Sequence, residues 1–279
     1  MNIDLIADQL LIPTIDLPLY GKRIVVTAPR NYAARFAEQI IKKGGLPMLM
    51  PTIETYSLVD YTELDDTLKN IDDFDWILFT SRNGIAGFFQ RLNALNLPIS
   101  VLQNCQLAAI GKDAESLLSI CGRVDLIPAE PSPVGMVTEL GKLPNIQGKK
   151  ILVPAPKVVG ITEPNVIPNL VSDLQKLSVH VTRVPVYITQ AVNKNIYPVE
   201  LNLIQQGLID IIAFSSTAEV ESFMNMFNSK NDYENCVFAC FGPYTSANAK
   251  KLGIKVAITS KDFSSFEGFV EAIANAYQM

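Results

Sequence analysis

The stretch CVFACFGPYT, residues 236–245, has two halves with different conformational preferences. Val237, Phe238, Ala239, Cys240 and Phe241 form an apolar run suited to a buried strand. Gly242-Pro243 breaks that run, and Tyr244-Thr245-Ser246 leads into a helix-like segment, residues 247–252. A strand that turns sharply into a helix aims backbone N–H groups and hydroxyls at one place. Open α/β sheets hold their ligands at such turns. About 130 residues earlier, CQLAAIGKDA (residues 105–114) follows nearly the same course.

The likeness extends along the whole chain. GKRIVVTAPR (21–30) and GKKILVPAPK (148–157) agree almost position by position, each as a strand and a turn, with Arg30 and Lys157 at equivalent turns. Residues 31–43 carry Ala34, Phe36, Ala37, Ile40 and Ile41 at helical spacing before Gly44-Gly45. Residues 46–50 predict a strand, 53–56 an extended piece, 64–71 a helix and 75–80 a buried strand. Ser81-Arg82-Asn83 then caps a helix over 85–92. Strands are expected at 106–110 and 124–127, with helices to about 120 and over 134–140. Residues 210–217, 235–242, 255–258 and 265–270 repeat 75–82, 104–111, 124–127 and 132–137. Such a period is too long for a solenoid and marks a duplicated domain. The fold class expected is α/β: two similar domains, each a parallel β-sheet flanked by helices, with a cleft between them.

Composition narrows the class. The chain has 279 residues, 48% of them hydrophobic and 18% charged, enough for two domains with large cores. No apolar run reaches about 18 residues, so no membrane span is expected. The first 20 residues lack a basic region and carry Asp4, Asp8 and Asp16, unlike a secretory signal. They predict an ordered or half-ordered arm, broken at Pro13 and Pro18. Cys105, Cys121, Cys236 and Cys240 form no CxxC pair and suit reduced core thiols, hence a cytoplasmic setting. A net charge of −5 argues against nucleic acid as a partner. A local basic cleft remains compatible with a small anionic ligand.

Several chemistries lack their residues. Neither GxGxxG nor GxxxxGK[ST] occurs, which disfavours a nucleotide-dependent enzyme. The single histidine, His180, alternates with valines as in a strand, and no GxSxG accompanies it. Metal-ligand spacing is missing too. What remains is a set of strand-to-helix turns rich in hydroxyls and cations: Thr80-Ser81-Arg82, Gly111-Lys112-Asp113, Ser215-Ser216-Thr217 and Tyr244-Thr245, with Arg30 at the first turn. Any one of them reads as ordinary helix capping. Together they offer one sheet edge in each domain as a receptor for several carboxylates or phosphates. Tyr187 lies in an extended run, where a tyrosine is usually a packed aromatic with a polar tip.

Phe79-Thr80-Ser81, Ala109-Ile110-Gly111, Pro185-Val186-Tyr187, Phe214-Ser215-Ser216 and Gly242-Pro243-Tyr244-Thr245 occur in that order, followed by Leu252-Gly253 and Phe266-Glu267-Gly268-Phe269-Val270. This ordered set, over about residues 21–275, resembles the uroporphyrinogen-III synthase family. The resemblance implies a lyase of porphyrin and tetrapyrrole biosynthesis. Its substrate is hydroxymethylbilane, a linear tetrapyrrole with eight carboxylates. The terminal hydroxyl is expelled, the ring closes, and ring D inverts through a spiro intermediate. No metal or organic cofactor is implied. A monomer is expected, supplied by transient contact with the bilane-forming enzyme.

The resemblance also implies discontinuous domains, 22–52 with 189–279 and 53–186, joined by connector strands near 51–55 and 185–189, with 1–20 as an arm. It places Tyr187 near the leaving hydroxyl and makes Thr245 a carboxylate anchor, with Ser81 and Ser216 as matching strand-end serines. One place departs from the family pattern: Lys112-Asp113-Ala114 stands where a threonine is common. Lys112 is expected to replace that hydroxyl, whereas Asp113 would repel a carboxylate unless it caps its helix. The alternative reading is a non-catalytic two-domain sensor of an anion or tetrapyrrole, built on the same fold.

Overall fold

Ile211-Ile212-Ala213-Phe214 and Trp76-Ile77-Leu78-Phe79 are buried along their whole length, as expected of strands covered on both faces. A computed structural model of the chain describes residues 15–263 and 265–278. In chain order its main elements begin with β1 (Arg23–Val26), α1 (Arg30–Lys42), β2 (Leu46–Leu49), β3 (Ile53–Tyr56), α2 (Thr62–Lys69), β4 (Trp76–Phe79) and α3 (Arg82–Ala94). Next come β5 (Gln106–Ala109), α4 (Asp113–Cys121), α5 (Pro133–Gly141), β6 (Lys150–Val159), α6 (Val166–Gln175) and β7 (His180–Ala191). The chain continues through α7 (Pro198–Gln205), β8 (Ile211–Phe214), α8 (Thr217–Asn225), β9 (Val237–Cys240), α9 (Pro243–Lys251), β10 (Val256–Thr259) and α10 (Phe266–Asn275).

Two five-stranded sheets result, ordered β10-β9-β8-β1-β2 and β3-β7-β6-β4-β5. Registered pairs in the first are parallel, and β4 runs parallel to both β5 and β6 in the second. The described residues fall into two compact units. One comprises those up to Glu54, Gly160–Thr162, and those from Gln190 onward; the other comprises Thr55–Val159 and Glu163–Thr189.

Side-chain alternation explains why the strands read as continuous apolar runs. In the first unit Val25, Ile212, Phe214, Phe238 and Cys240 enter one core, and Ile24, Val26, Ile211, Ala213 and Ala239 the opposite one. Ile77, Phe79, Leu107 and Ala109 in the second unit face away from Trp76, Leu78 and Ala108 in the same manner. Each fully buried phenylalanine, such as Phe79, Phe88, Phe214 or Phe223, stabilises its unit by roughly 1.5–3 kcal/mol.

Four serines cap helices at equivalent places. Ser81, Ser132, Ser216 and Ser265 accept a backbone N–H three residues on and open α3, α5, α8 and α10.

Two expectations need correction. Residues 124–127 are not a strand: they make a single bridge, Ala108 to Leu126. The Asp125 carboxylate there accepts the Leu107 N–H and pairs with Arg123, which draws the segment out of a regular ladder. Lys157 does not occupy a turn like that of Arg30. It continues β6, which runs to Val159 beside β7, whereas the chain at Arg30 enters α1 directly after Pro29. The arm expected over 1–20 lies largely outside the described residues. Its last part packs on the first unit, where Leu19 is fully buried and its N–H donates to Lys43 O at 2.9 Å.

Candidate active site

In the second unit β4 ends at Phe79, and Thr80 and Ser81 follow at its carboxyl end. Ser81 Oγ accepts the Gly84 N–H at 3.1 Å and lies 3.4 Å from Tyr187 Oη. β7 brings the half-buried Tyr187 there, with its ring against the core beneath α3. The approach depends on Gly87. A Cβ at Gly87 would stand 2.5 Å from Val186 O, so no other residue lets α3 lie this close to β7.

β5 runs parallel to β4, with Phe79 opposite Ala109, so Lys112 reaches the same sheet edge as Thr80, Ser81 and Arg82. Arg82 Nε lies 3.4 Å from Asp113 Oδ1. Burial pushes the Asp113 carboxyl up, against the pull of Arg82. Asp113 is the first residue of α4 and is paired with Arg82, the first residue of α3. Lys112 is exposed beside that pair.

In the first unit β1, β8 and β9 are parallel neighbours, with Val26 opposite Ala213 and Phe214 opposite Cys240. Arg30, the Ser215-Ser216-Thr217 turn and Tyr244-Thr245 therefore share one sheet edge, at the strands' carboxyl ends. Arg30 is already engaged: its Nε is 3.0 Å from Glu54 Oε1, and it draws down the Tyr197 phenol that burial pushes up. Tyr244 is 37% exposed and Thr245 8%. Gly242 precedes them because a side chain there would strike Phe263, with Cβ atoms 2.9 Å apart. Among the described residues the Thr245 hydroxyl makes no hydrogen bond, so it has both its proton and its lone pairs to offer.

The serines differ from Thr245. Ser215 Oγ donates to Glu219 Oε1, Ser216 Oγ lies 3.0 Å from the same oxygen, and the Ser215 N–H donates to Oε2 at 2.7 Å. Thr27 Oγ1 approaches Oε2 at 2.7 Å. Glu219 is only 1% exposed, and burial pushes its carboxyl up despite these hydrogen bonds. Sequence reasoning missed this residue. Its signal was present as Ser216-x-x-Glu219, the spacing of a capping box. Here the carboxylate reaches past Ser216 to the N–H of Ser215.

The remaining thiols and ligand sets are inert in this context. Burial pushes Cys105 and Cys236 up to about 11 and Cys240 up to about 12, far from the thiolate range of a nucleophile. Among the described residues no group of three or more His, Cys, Asp or Glu side chains could hold a metal ion. No helix among them is long and apolar enough to cross a membrane.

Residues 34–269 match the family described as uroporphyrinogen-III synthase HemD. This chain belongs to that family. The porphyrin biosynthesis protein HemD of Ruminiclostridium josui is 26% identical over 249 residues, 88% of this chain and 47% of that protein. The chain thus spans about half the length of that relative. The uroporphyrinogen-III synthase of Synechococcus elongatus is 26% identical over 263 residues, covering 92% of this chain and 96% of its own. Among solved structures, a mutant uroporphyrinogen III synthase from the extremely thermophilic bacterium Thermus thermophilus superposes with a TM-score of 0.69. It shares 18% identity and covers 92% of this chain and 99% of its own, which shows a common fold. The uroporphyrinogen-III synthase family consists of cyclising lyases of tetrapyrrole biosynthesis, and the duplicated α/β architecture derived from the repeat is its architecture.

Proposed function

We propose that the chain cyclises hydroxymethylbilane, with loss of water and inversion of ring D, to uroporphyrinogen III. The observation that carries this reading is the family match over residues 34–269. The two units then correspond to the family's two domains, with the stretches near 51–55 and 185–189 as connectors. The turns of each unit supply donors for the substrate's carboxylates: Thr80, Ser81, Arg82 and Lys112 in one, and Thr217, Tyr244, Thr245 and Arg30 in the other, where Ser215 and Ser216 turn their hydroxyls to Glu219 and shape the turn. Helix starts add unpaired N–H groups and a partial positive charge.

Positioning accounts for most of the task, because the bilane loses its hydroxyl readily and closes without inversion when unassisted. The C–O bond to the terminal hydroxyl breaks as the pyrrole nitrogen pair pushes in to form an azafulvene, the Tyr187 phenol hydrogen-bonds the departing oxygen, and the proton the pyrrole N–H gives up completes the water that leaves. Ser81 Oγ, which accepts the Gly84 N–H, lies 3.4 Å from Tyr187 Oη, and either hydroxyl can donate across that contact. A bilane held folded by its carboxylates then closes at the substituted carbon of ring D, forms the spiro intermediate and recloses inverted. The test is to generate hydroxymethylbilane in situ with the protein present and identify the porphyrinogen isomer. Type III is expected, and type I alone would favour a non-catalytic sensor.

A further inference from the structure

Glu219 belongs to none of the roles above, yet it lies at the centre of a buried polar cluster. Thr27 Oγ1 lies 2.7 Å from Glu219 Oε2 and 2.9 Å from Ala213 O. The ladder bond from the Thr27 N–H to Ala213 O is stretched to 3.5 Å, so the hydroxyl makes the shorter contact with that carbonyl. Thr52 Oγ1 donates to the Glu219 backbone carbonyl at 3.1 Å, and Ser222 Oγ donates to Thr52 O at 2.5 Å. Thr27, Thr52, Ser222 and Glu219 are all buried.

A proton count decides the state of the carboxyl group. Thr27 has one hydroxyl proton and two acceptors within reach. If it serves Ala213 O, the 2.7 Å contact with Oε2 needs a proton from Glu219. If it serves Oε2, the 2.9 Å contact sets two oxygen lone pairs face to face in a buried site. A neutral acid with its proton on Oε2 satisfies every oxygen: Glu219 donates to Thr27, which donates to Ala213 O. Oε1 then accepts from Ser215 and Ser216. The Cys240 thiol on β9 is the titratable group that feels Glu219, and burial keeps it neutral as well. The groups acting on Glu219 from β1 and the start of α8 are hydroxyls and one N–H, with no cation among them.

We propose that Glu219 is a positioning residue: carried as the neutral acid, it fixes the Ser215-Ser216-Thr217 turn for an anionic substrate without setting a like charge behind it. The inference rests on the reading of this turn as a carboxylate-binding element. An ionised carboxylate there would repel the incoming carboxylate across a poorly screened interior. Burial, which pushes the Glu219 carboxyl up, acts in the same direction.

The test has two arms. In the first, the glutamate side-chain carboxyl carbons of the substrate-free protein are titrated by carbon-13 NMR, with Glu219→Gln identifying the missing signal. We expect that signal to stay at its protonated position through neutral pH. A signal already at the ionised position at pH 5–7 overturns the proposal, whatever the protein's activity. In the second arm, Glu219→Ala should raise KM about tenfold with kcat changed less, and should remove the rise of KM at alkaline pH that ionisation of Glu219 gives the wild type. An Ala variant with the wild-type KM, or one that keeps the alkaline rise, overturns the positioning role. Failure of every form to make the type III isomer overturns the enzymatic reading and leaves the titration standing.

Discussion

Tyr187 Oη lies 3.4 Å from Ser81 Oγ, joining two side chains 106 positions apart in the sequence. β7 delivers one and the cap of α3 the other. The pair links the residue proposed to assist the leaving hydroxyl to the helix start proposed to receive a carboxylate. Tyr187→Phe keeps the ring and its packing and removes the oxygen. It should lower kcat for type III formation by about 10²-fold, the low end for a lost proton donor, because the hydroxyl leaves readily by itself. Denaturant unfolding should be little changed. An unaltered kcat would leave positioning as the whole mechanism.

Gly87 sets the distance between α3 and β7. Gly87→Ala places a methyl group 2.5 Å from Val186 O, next to Tyr187. The helix must shift, at a cost of roughly 1–3 kcal/mol. Urea unfolding should show the loss, together with a lower type III rate. A variant as stable and active as the wild type would mean that this contact does not fix the Tyr187 position.

Thr245 has a hydroxyl with no partner among the described residues. Thr245→Val preserves shape and removes that donor. A hydrogen bond to a charged group is worth about 1.5–3 kcal/mol, so KM should rise roughly 10- to 100-fold while the unfolding midpoint barely moves. Steady-state kinetics beside a melting curve separate the two effects. A lower melting temperature with an unchanged KM would make Thr245 a packing residue.

Glu219 gives stability a defined dependence on pH. Its carboxyl titrates above the ordinary glutamate range in the folded protein. The folded state therefore binds the proton more tightly than the unfolded state does. The resulting stabilisation is fully present below the unfolded value and is lost as pH rises through the folded one. The melting temperature of the wild type should fall relative to Glu219→Gln as pH rises. A difference that is constant with pH would place an ionised carboxylate in the cluster.

Much of the fold was legible because the repeat supplied each element twice. The serines at 81, 132, 216 and 265 each precede an apolar helical run at matching places, and all four cap their helices. The repeat misled where local chemistry differs between copies. Residues 124–127 resemble β10, but Asp125 turns its carboxylate to the Leu107 N–H and no ladder forms. Lys157 aligns with Arg30, yet β6 runs on beside β7 to Val159.

Contacts across the fold were hidden for a different reason. Nothing in the sequence near Gly87 announces the Val186 carbonyl above it. The spacing of Ser216 and Glu219 was visible, but capping-box glutamates ordinarily face solvent. Only the buried Thr27 and Ser215 partners give this one its character.

The central claim is that these turns direct closure to the substituted carbon of ring D. The direct measurement is the ratio of type III to type I porphyrinogen as hydroxymethylbilane is generated with increasing amounts of the protein. The account predicts that the type III fraction climbs towards completeness as the protein outpaces spontaneous closure, and that Tyr187→Phe needs more protein to reach the same ratio. A type I product at every protein concentration would contradict it.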